Sequence, residues 1–266
     1  MTRVIITGAA GAIGAATATA LRERGCTVIG LDLRGDDAHD ILACDVTDAQ
    51  SAQAAVSTAI ERLGGLDVLI NNAGIGGPAA AGSAPGPEAR AIIEVNLFGA
   101  WNTTAAAIDT LVEHRGRVVF VASRMAFLGL PLGAAYAVSK RGLTAYADCV
   151  RAEFGTHVTV SSVHPAMVRT PIHDTTKAAG LSLDGVSTEE PLEGVVRRLV
   201  QASLDPRPKR DAAVSRAGRM QLWVARHAPK LVDRVVARQV RGRVEAGAFD
   251  DAPLAAGLRA RHGRQS

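Results

Sequence analysis

Tyr136 and Lys140 lie four residues apart in Ala134 to Phe154, a segment whose apolar spacing reads as a helix, so both side chains project from one face. A neighbouring ammonium favours phenolate over phenol, which would bring a tyrosine toward general acid and base work near neutral pH. Ser123, thirteen residues before Tyr136, follows the strand-like run Arg117-Val-Val-Phe-Val-Ala122. Its hydroxyl is expected at the carboxyl edge of a sheet, in reach of the oxygen of a reacting alcohol or carbonyl. A tyrosine and a lysine at helical spacing are usually a surface pair of little consequence. With two tyrosines and four lysines in 266 residues, however, the spacing arises by chance in roughly 3 of 100 sequences. Tyr146, with Val150 at the same offset, lacks the partner.

These groups need a scaffold, and the chain reads as alternating strands and helices. Arg3 to Thr7 is a short buried-type strand, followed by a turn with Gly8, Gly11 and Gly14 and a helix from Ile13 to Arg24. Strand, glycine turn and helix start suit a pyrophosphate, because glycines let the backbone approach and the free N–H groups donate to it. The next strand, Thr27 to Asp32, ends in a carboxylate placed to accept from a ribose diol, which favours NAD over NADP. Arg34 is either a phosphate-binding exception to that preference or a solvated loop arginine.

Ile41 to Cys44 is a third strand, after which Asp45-Val46 stands where an adenine could rest, and Ala49 to Leu63 is an amphipathic helix. Val68 to Asn71 leads into Asn71-Asn72-Ala73-Gly74, whose asparagines tie strands or hold a cofactor ribose. Residues 76–87 are a loop, and Glu88 to Val112 a long helix containing Asn96. Beyond Tyr136 come a strand from Val158 to His164, a turn from Pro165 to Pro171, and a polar segment, Ile172 to Glu190, of lid character. A helix from Pro191 to Ala202 and a strand from Ala212 to Ser215 complete the pattern. The fold class is α/β, a single doubly wound parallel sheet with helices on both faces. Residues 1–215 form the catalytic domain, including the loop 172–190, and residues 216–266 a basic helical extension rather than a second domain.

Composition narrows the functional classes. An apolar share of 47% fills a sizeable core and excludes disorder. Three cysteines, odd in number and away from metal-ligand spacing, point to a reducing, cytoplasmic setting and to no metal site. Arg3 runs at once into the first strand, without the pattern of a secretory leader. Val4 to Leu21 lacks charge over the length of a membrane span, but its glycines fit strand, turn and helix better. Charge is uneven: residues 1–206 carry net −5 and residues 207–266 net +9.

Together these motifs resemble the short-chain dehydrogenase/reductase family in order and spacing from Arg3 to about Ser215. The resemblance implies a cofactor loop at Thr7 to Gly14, with contacts from Gly8, Ala12, Ile13 and Gly14. It implies NAD selection by Asp32, an adenine contact at Asp45-Val46, and cofactor contacts at Asn72, Ala73 and Gly74. Asn96, Ser123, Tyr136 and Lys140 fall where the family's catalytic tetrad does, and Pro165, Val168 and Thr170 in the segment that binds the nicotinamide amide. Ala12 and Ala166 stand where that family usually has glycine. The implied mechanism has Tyr136 taking an alcohol's proton as hydride passes to the nicotinamide, Ser123 holding the oxygen, Lys140 lowering the phenol's pKa and bonding the nicotinamide ribose, and Asn96 anchoring a water. It also implies a homo-oligomer, dimer or tetramer, packed through helices 88–112 and 135–155.

The expected activity is hydride transfer between NAD(H) and a hydrophobic secondary alcohol or ketone, since Met125 to Leu132, Met167 and Ile172 to Leu183 are mostly apolar. The alternative is a redox sensor or scaffold of the same fold without turnover, which has no physical need for the full Asn, Ser, Tyr and Lys set. Nucleic-acid binding by the tail is disfavoured, because Trp223 is the only aromatic between 207 and 248. On a helix from Pro229 to Arg241, Leu231, Val232, Val235, Val236 and Val240 cover one half, and Lys230, Arg234, Arg238 and Arg241 the other. Docking of the apolar half on protein is favoured over peripheral membrane contact through residues 220–244.

Overall fold

The computed structural model describes residues 1–170, 172, 174–179, 189–250 and 252–262. The strands β1 (Arg3–Thr7), β2 (Thr27–Asp32), β3 (Ile41–Ala43), β4 (Val68–Asn71), β5 (Arg117–Val121), β6 (Thr159–His164) and β7 (Asp211–Ala213) form one sheet in the order β3-β2-β1-β4-β5-β6-β7, all parallel. The helices are α1 (Ala12–Arg22), α2 (Ala49–Leu63), α3 (Pro87–Ile93), α4 (Ala100–Glu113), α5 (Ala134–Phe154), α6 (Asp174–Ala178), α7 (Leu192–Leu204), α8 (Arg216–His227), α9 (Pro229–Glu245) and α10 (Ala256–His262). The lid expected at Ile172 to Glu190 lies largely outside the described residues.

The middle strands are apolar on both faces because both are covered. Ile5, Leu69, Val118 and Phe120 pack with α2, α4 and α5, whereas Val4, Ile6, Val68, Ile70, Val119 and Val121 pack with α1 and α7. Alternate residues of a strand point to opposite faces, so one short sequence serves both layers. The strand order reverses between β1 and β4, which opens a crevice at the carboxyl edge of the sheet. The loops carrying the expected site residues all leave that edge.

One expected element is altered. The long helix over 88–112 is interrupted by a π-helical stretch, Glu94–Gly99, between α3 and α4. Asn96 lies inside it, fully buried.

Among the described residues the basic extension holds three α-helices, and the one expected over Pro229 to Arg241 is the middle of them. Ser215 caps α8 by accepting from the Gly218 N–H at 3.0 Å, and Pro229 opens α9. Past α9, Phe249, Ala252 and Ala255 form a small apolar cluster with Val244 and Leu258 that also takes in Leu132 and Ala179, one from each loop flanking the crevice. Leu132 has a φ of 61°, a left-handed conformation uncommon for leucine.

Candidate active site

The turn after β1 is closed by contacts that leave no room for side chains. Gly8 has a φ of 65°, and a Cβ there would lie 2.8 Å from the Ala73 Cα. At Gly14 a Cβ would fall 2.1 Å from the Gly8 carbonyl oxygen, so only glycine fits. Ala12, by contrast, is exposed, and the methyl at this position has space. Gly11 caps α1 without a side-chain bond, leaving the first N–H groups of the helix, at Ala12, Ile13 and Gly14, to donate outward. Asp32 faces the same turn: its carboxylate accepts from the Ala10 N–H at 2.9 Å and the Leu33 N–H at 2.8 Å. Arg34 is exposed and has no ion-pair partner among the described residues.

The β4 loop locks onto this turn. Asn72 donates through its side-chain amide to the Thr7 and Gly8 carbonyls, at 2.9 and 3.1 Å, and the Thr7 hydroxyl accepts from the Asn72 and Ala73 N–H groups, both at 3.0 Å. Asn71 is tied to Thr103 and Thr104 of α4. Of the two uses open to these asparagines, the structure shows the strand tie. Asp45 folds back on its own turn and accepts from the Thr47 N–H and hydroxyl. Val46 is buried against Gly99, where an added Cβ would come 2.6 Å from a Val46 methyl.

Three elements meet at Gly74. A Cβ on it would lie 3.2 Å from the Asn96 Oδ1 and 3.3 Å from the Lys140 Nζ. Asn96 accepts from the Ile75 N–H at 2.8 Å and donates to the Ile75 carbonyl and the Ser139 hydroxyl, each at 3.0 Å. Ser139 donates onward to the Tyr136 carbonyl at 2.9 Å. The π-helical stretch thus ties the β4 loop to the helix bearing the tyrosine. π-Bulges gather at functional sites because they re-aim single residues.

Ser123 follows β5 and accepts from the Met125 N–H at 3.1 Å, and its side chain lies beside the Tyr136 phenol. Lys140 is buried with its Nζ 5.8 Å from the Tyr136 ring centroid and donates to the Val121 carbonyl at 2.9 Å. One expectation is corrected here. Burial pushes the Tyr136 phenol up rather than down, and Ser123 beside it offsets only part of that. The lysine is itself pushed down to about 8, because the same burial strips its ammonium of water.

On the β6 side, Pro165 and Val168 are buried and Thr170 half-buried. The Ala166 N–H donates to Glu190 at 2.8 Å. Glu190 belongs to a buried network absent from the sequence expectations: it accepts from Ser215 at 2.7 Å and faces Arg124 at 3.9 Å, and Arg124 donates to Gln221 of α8. A second network lies behind Ser123. His164 is 3.4 Å from the Ser123 carbonyl and 3.0 Å from Asp211, which also pairs with Arg226 at 3.1 Å. Burial alone would raise the Asp211 carboxyl, but the bonds from His164 and Arg226 outweigh it and hold the group well below the ordinary carboxylate range. Arginine directly after Ser123 and histidine directly before Pro165 are the signals that could have pointed there.

The crevice fits a dinucleotide, with a glycine cradle, an uncapped helix start and a carboxylate at the end of β2. Comparison with known proteins agrees. The model of the short chain dehydrogenase family matches residues 2–180. The chain belongs to the short-chain dehydrogenase/reductase family of oxidoreductases, whose members bind a nicotinamide dinucleotide. It is 32% identical over 188 residues to trans-4-hydroxycyclohexanecarboxylate dehydrogenase of Sinomonas cyclohexanicum, covering 63% of this chain and 73% of the relative. It is 35% identical over 186 residues to 1-deoxy-11-beta-hydroxypentalenate dehydrogenase of Streptomyces avermitilis, covering 63% and 69%. A short chain dehydrogenase from Burkholderia cenocepacia, solved in complex with NADP, shares the fold with a TM-score of 0.75 at 24% identity, covering 88% of this chain and 97% of that one. Among the described residues no helix is long and apolar enough to cross a membrane.

Proposed function

We propose that the protein transfers hydride between NAD(H) and a hydrophobic secondary alcohol or its ketone. The observation that carries this reading is the convergence of Ser123, Tyr136 and Lys140 at one edge of the sheet, with Lys140 buried one helical turn from the tyrosine and its Nζ 5.8 Å from the phenol ring centroid. Bound NAD supplies the hydride acceptor for alcohol oxidation. Tyr136 takes the hydroxyl proton and returns it in the reverse direction, while Ser123 holds the same oxygen. Lys140 would hold the nicotinamide ribose and set positive charge beside the phenolate that forms at Tyr136. Asn96 anchors the water that carries the proton outward. Gly8, Gly14 and the N–H groups of Ala12 and Ile13 would receive the pyrophosphate, Asp32 the adenosine ribose, and Asp45 and Val46 the adenine, while Asn72, Ala73 and Gly74 would line the floor. Pro165, Val168 and Thr170 border the nicotinamide.

Preference for NAD is supported by Asp32, which would repel a 2′-phosphate. Half-buried Met125, Phe127, Leu128, Leu130 and Leu132 support an apolar substrate. The relatives named for trans-4-hydroxycyclohexanecarboxylate and 1-deoxy-11-beta-hydroxypentalenate support an alcohol. Exposed Phe98, Trp101 and Val138 support a homo-oligomer through α4 and α5, and the free cysteines support a reducing, cytoplasmic setting. A panel of cyclic and long-chain secondary alcohols, followed by NADH absorbance, tests the reading. Turnover confined to sugars or to primary alcohols would overturn it.

A further inference from the structure

The helix α9 does not divide into one apolar and one basic half. Val232 and Val236 are half-buried and Val240 is buried, so this arc turns toward the protein, with the first two bordering a groove shared with Phe127 and Ala225. Leu231 and Val235, on the adjoining arc, remain 51% and 49% exposed. Helical spacing places them beside Lys230, Arg234, Arg238 and Arg241, all exposed, and among the described residues none of the four has an ion-pair partner. The outer side of α8 repeats the pattern. Met220 and Trp223 are 62% and 58% exposed beside Arg216 and Arg219, with the Trp223 indole stacked on His227.

We propose that the outer faces of α8 and α9 form a surface that lies on an anionic lipid bilayer, with Trp223, Met220, Leu231 and Val235 entering the headgroup boundary and the cations meeting lipid phosphates. Charge complementarity selects this occupant. The net +9 of residues 207–266 stands against net −5 for the rest of the chain, so the attraction is local to the extension. A second copy paired symmetrically through this face would bring the row of cations toward its own counterpart. A bilayer accepts the cations and the apolar side chains together, and an indole suits its interface. The inference does not rest on the oxidoreductase reading.

The full-length protein is sedimented with phosphatidylcholine vesicles, with and without phosphatidylglycerol, at low and at high ionic strength. Binding is expected only with phosphatidylglycerol and to weaken with salt. Replacing Arg234 and Arg238 with glutamine should lower partitioning about 30-fold, since each cation near an anionic surface contributes roughly fivefold. Leu231→Ser with Val235→Ser should also weaken binding, and Trp223→Phe should remove a lipid-induced blue shift in emission. These positions are exposed, so unchanged circular dichroism and NADH turnover are expected. No binding to phosphatidylglycerol vesicles at low salt, or binding indifferent to the serine pair, would overturn the proposal. So would a drop in oligomer mass caused by the serine pair in lipid-free buffer, which would assign the face to a second copy.

Discussion

Lys140→Met should make the cofactor-free protein more stable near neutral pH. The lysine is 3% exposed, and burial has moved its pKa from 10.5 to about 8. That difference corresponds to about 3 kcal/mol by which the folded chain is destabilised at pH 7, where the ammonium stays charged in both states. Methionine keeps most of the volume and carries no charge, but it leaves the Val121 carbonyl without its 2.9 Å donor, a loss of about 1–2 kcal/mol. The net expectation is a gain of about 1–2 kcal/mol at neutral pH. The folded state binds fewer protons than the unfolded one between the two pKa values, so the wild type recovers stability as pH rises through about 8 toward 10.5. The advantage of the variant should shrink over that window and reverse above it. Urea unfolding of both proteins across the range measures this. Their difference cancels the titrations they share, including Cys44, pushed up by burial to about 11, and Tyr146, pushed up by burial to about 12. A variant less stable than wild type at neutral pH, or two parallel pH curves, would refute the argument.

Tyr136→Phe should abolish turnover, at least 10²-fold in kcat by the usual scale of proton-transfer catalysis, while NADH titration shows nearly unchanged affinity; wild-type kcat in that variant would sink the proposed role. Asp32→Ala should narrow the preference for NAD in kcat/KM with each cofactor, and a wild type already faster with NADP would place Arg34 in control. Asp211→Asn should destabilise the fold by roughly 2–4 kcal/mol at neutral pH, since it breaks a largely desolvated pair network. Because the Asp211 carboxyl is held low, its contribution is present above the ordinary aspartate range and lost as pH falls below it. Acid unfolding curves of wild type and variant should therefore converge at low pH.

Much of the sheet was legible because the chain marks its own strands: apolar runs end at Gly8, Asp32, Asn71 and Ser123, where β1, β2, β4 and β5 end or have just ended. The glycine turn was legible for the same local reason, and Gly14 has the tightest contact there. The acidity of Tyr136 and Lys140 was not, because spacing on a helix reports which groups are neighbours and not how much water each has lost. Burial is decided by packing of distant segments. The Glu190 and Asp211 networks were invisible for a related reason: their partners, Arg124, His164 and, from the two ends of α8, Ser215 and Arg226, come from three separate segments. In the extension only the helix over Pro229 to Arg241 was read, from its apolar spacing; Phe249, Ala252 and Ala255 gain meaning only once Leu132 and Ala179 are placed against them.

The π-helical stretch at Glu94–Gly99 fixes the length of the chain as well as its composition. Its wider repeat accommodates one residue more than an α-helix would over the same path. Deleting a residue there would let the stretch close into a regular α-helix over the same path, leaving α4 in register behind it. Thr103 and Thr104 would then stay on Asn71, whereas Asn96 would leave the place from which it holds Ile75 and Ser139, so the tie between the β4 loop and the tyrosine helix would be lost while the sheet kept its packing. The extra residue between 94 and 99 therefore serves the aim of Asn96 rather than the packing of α4, and losing it is as damaging to the site as the loss of Asn96 itself.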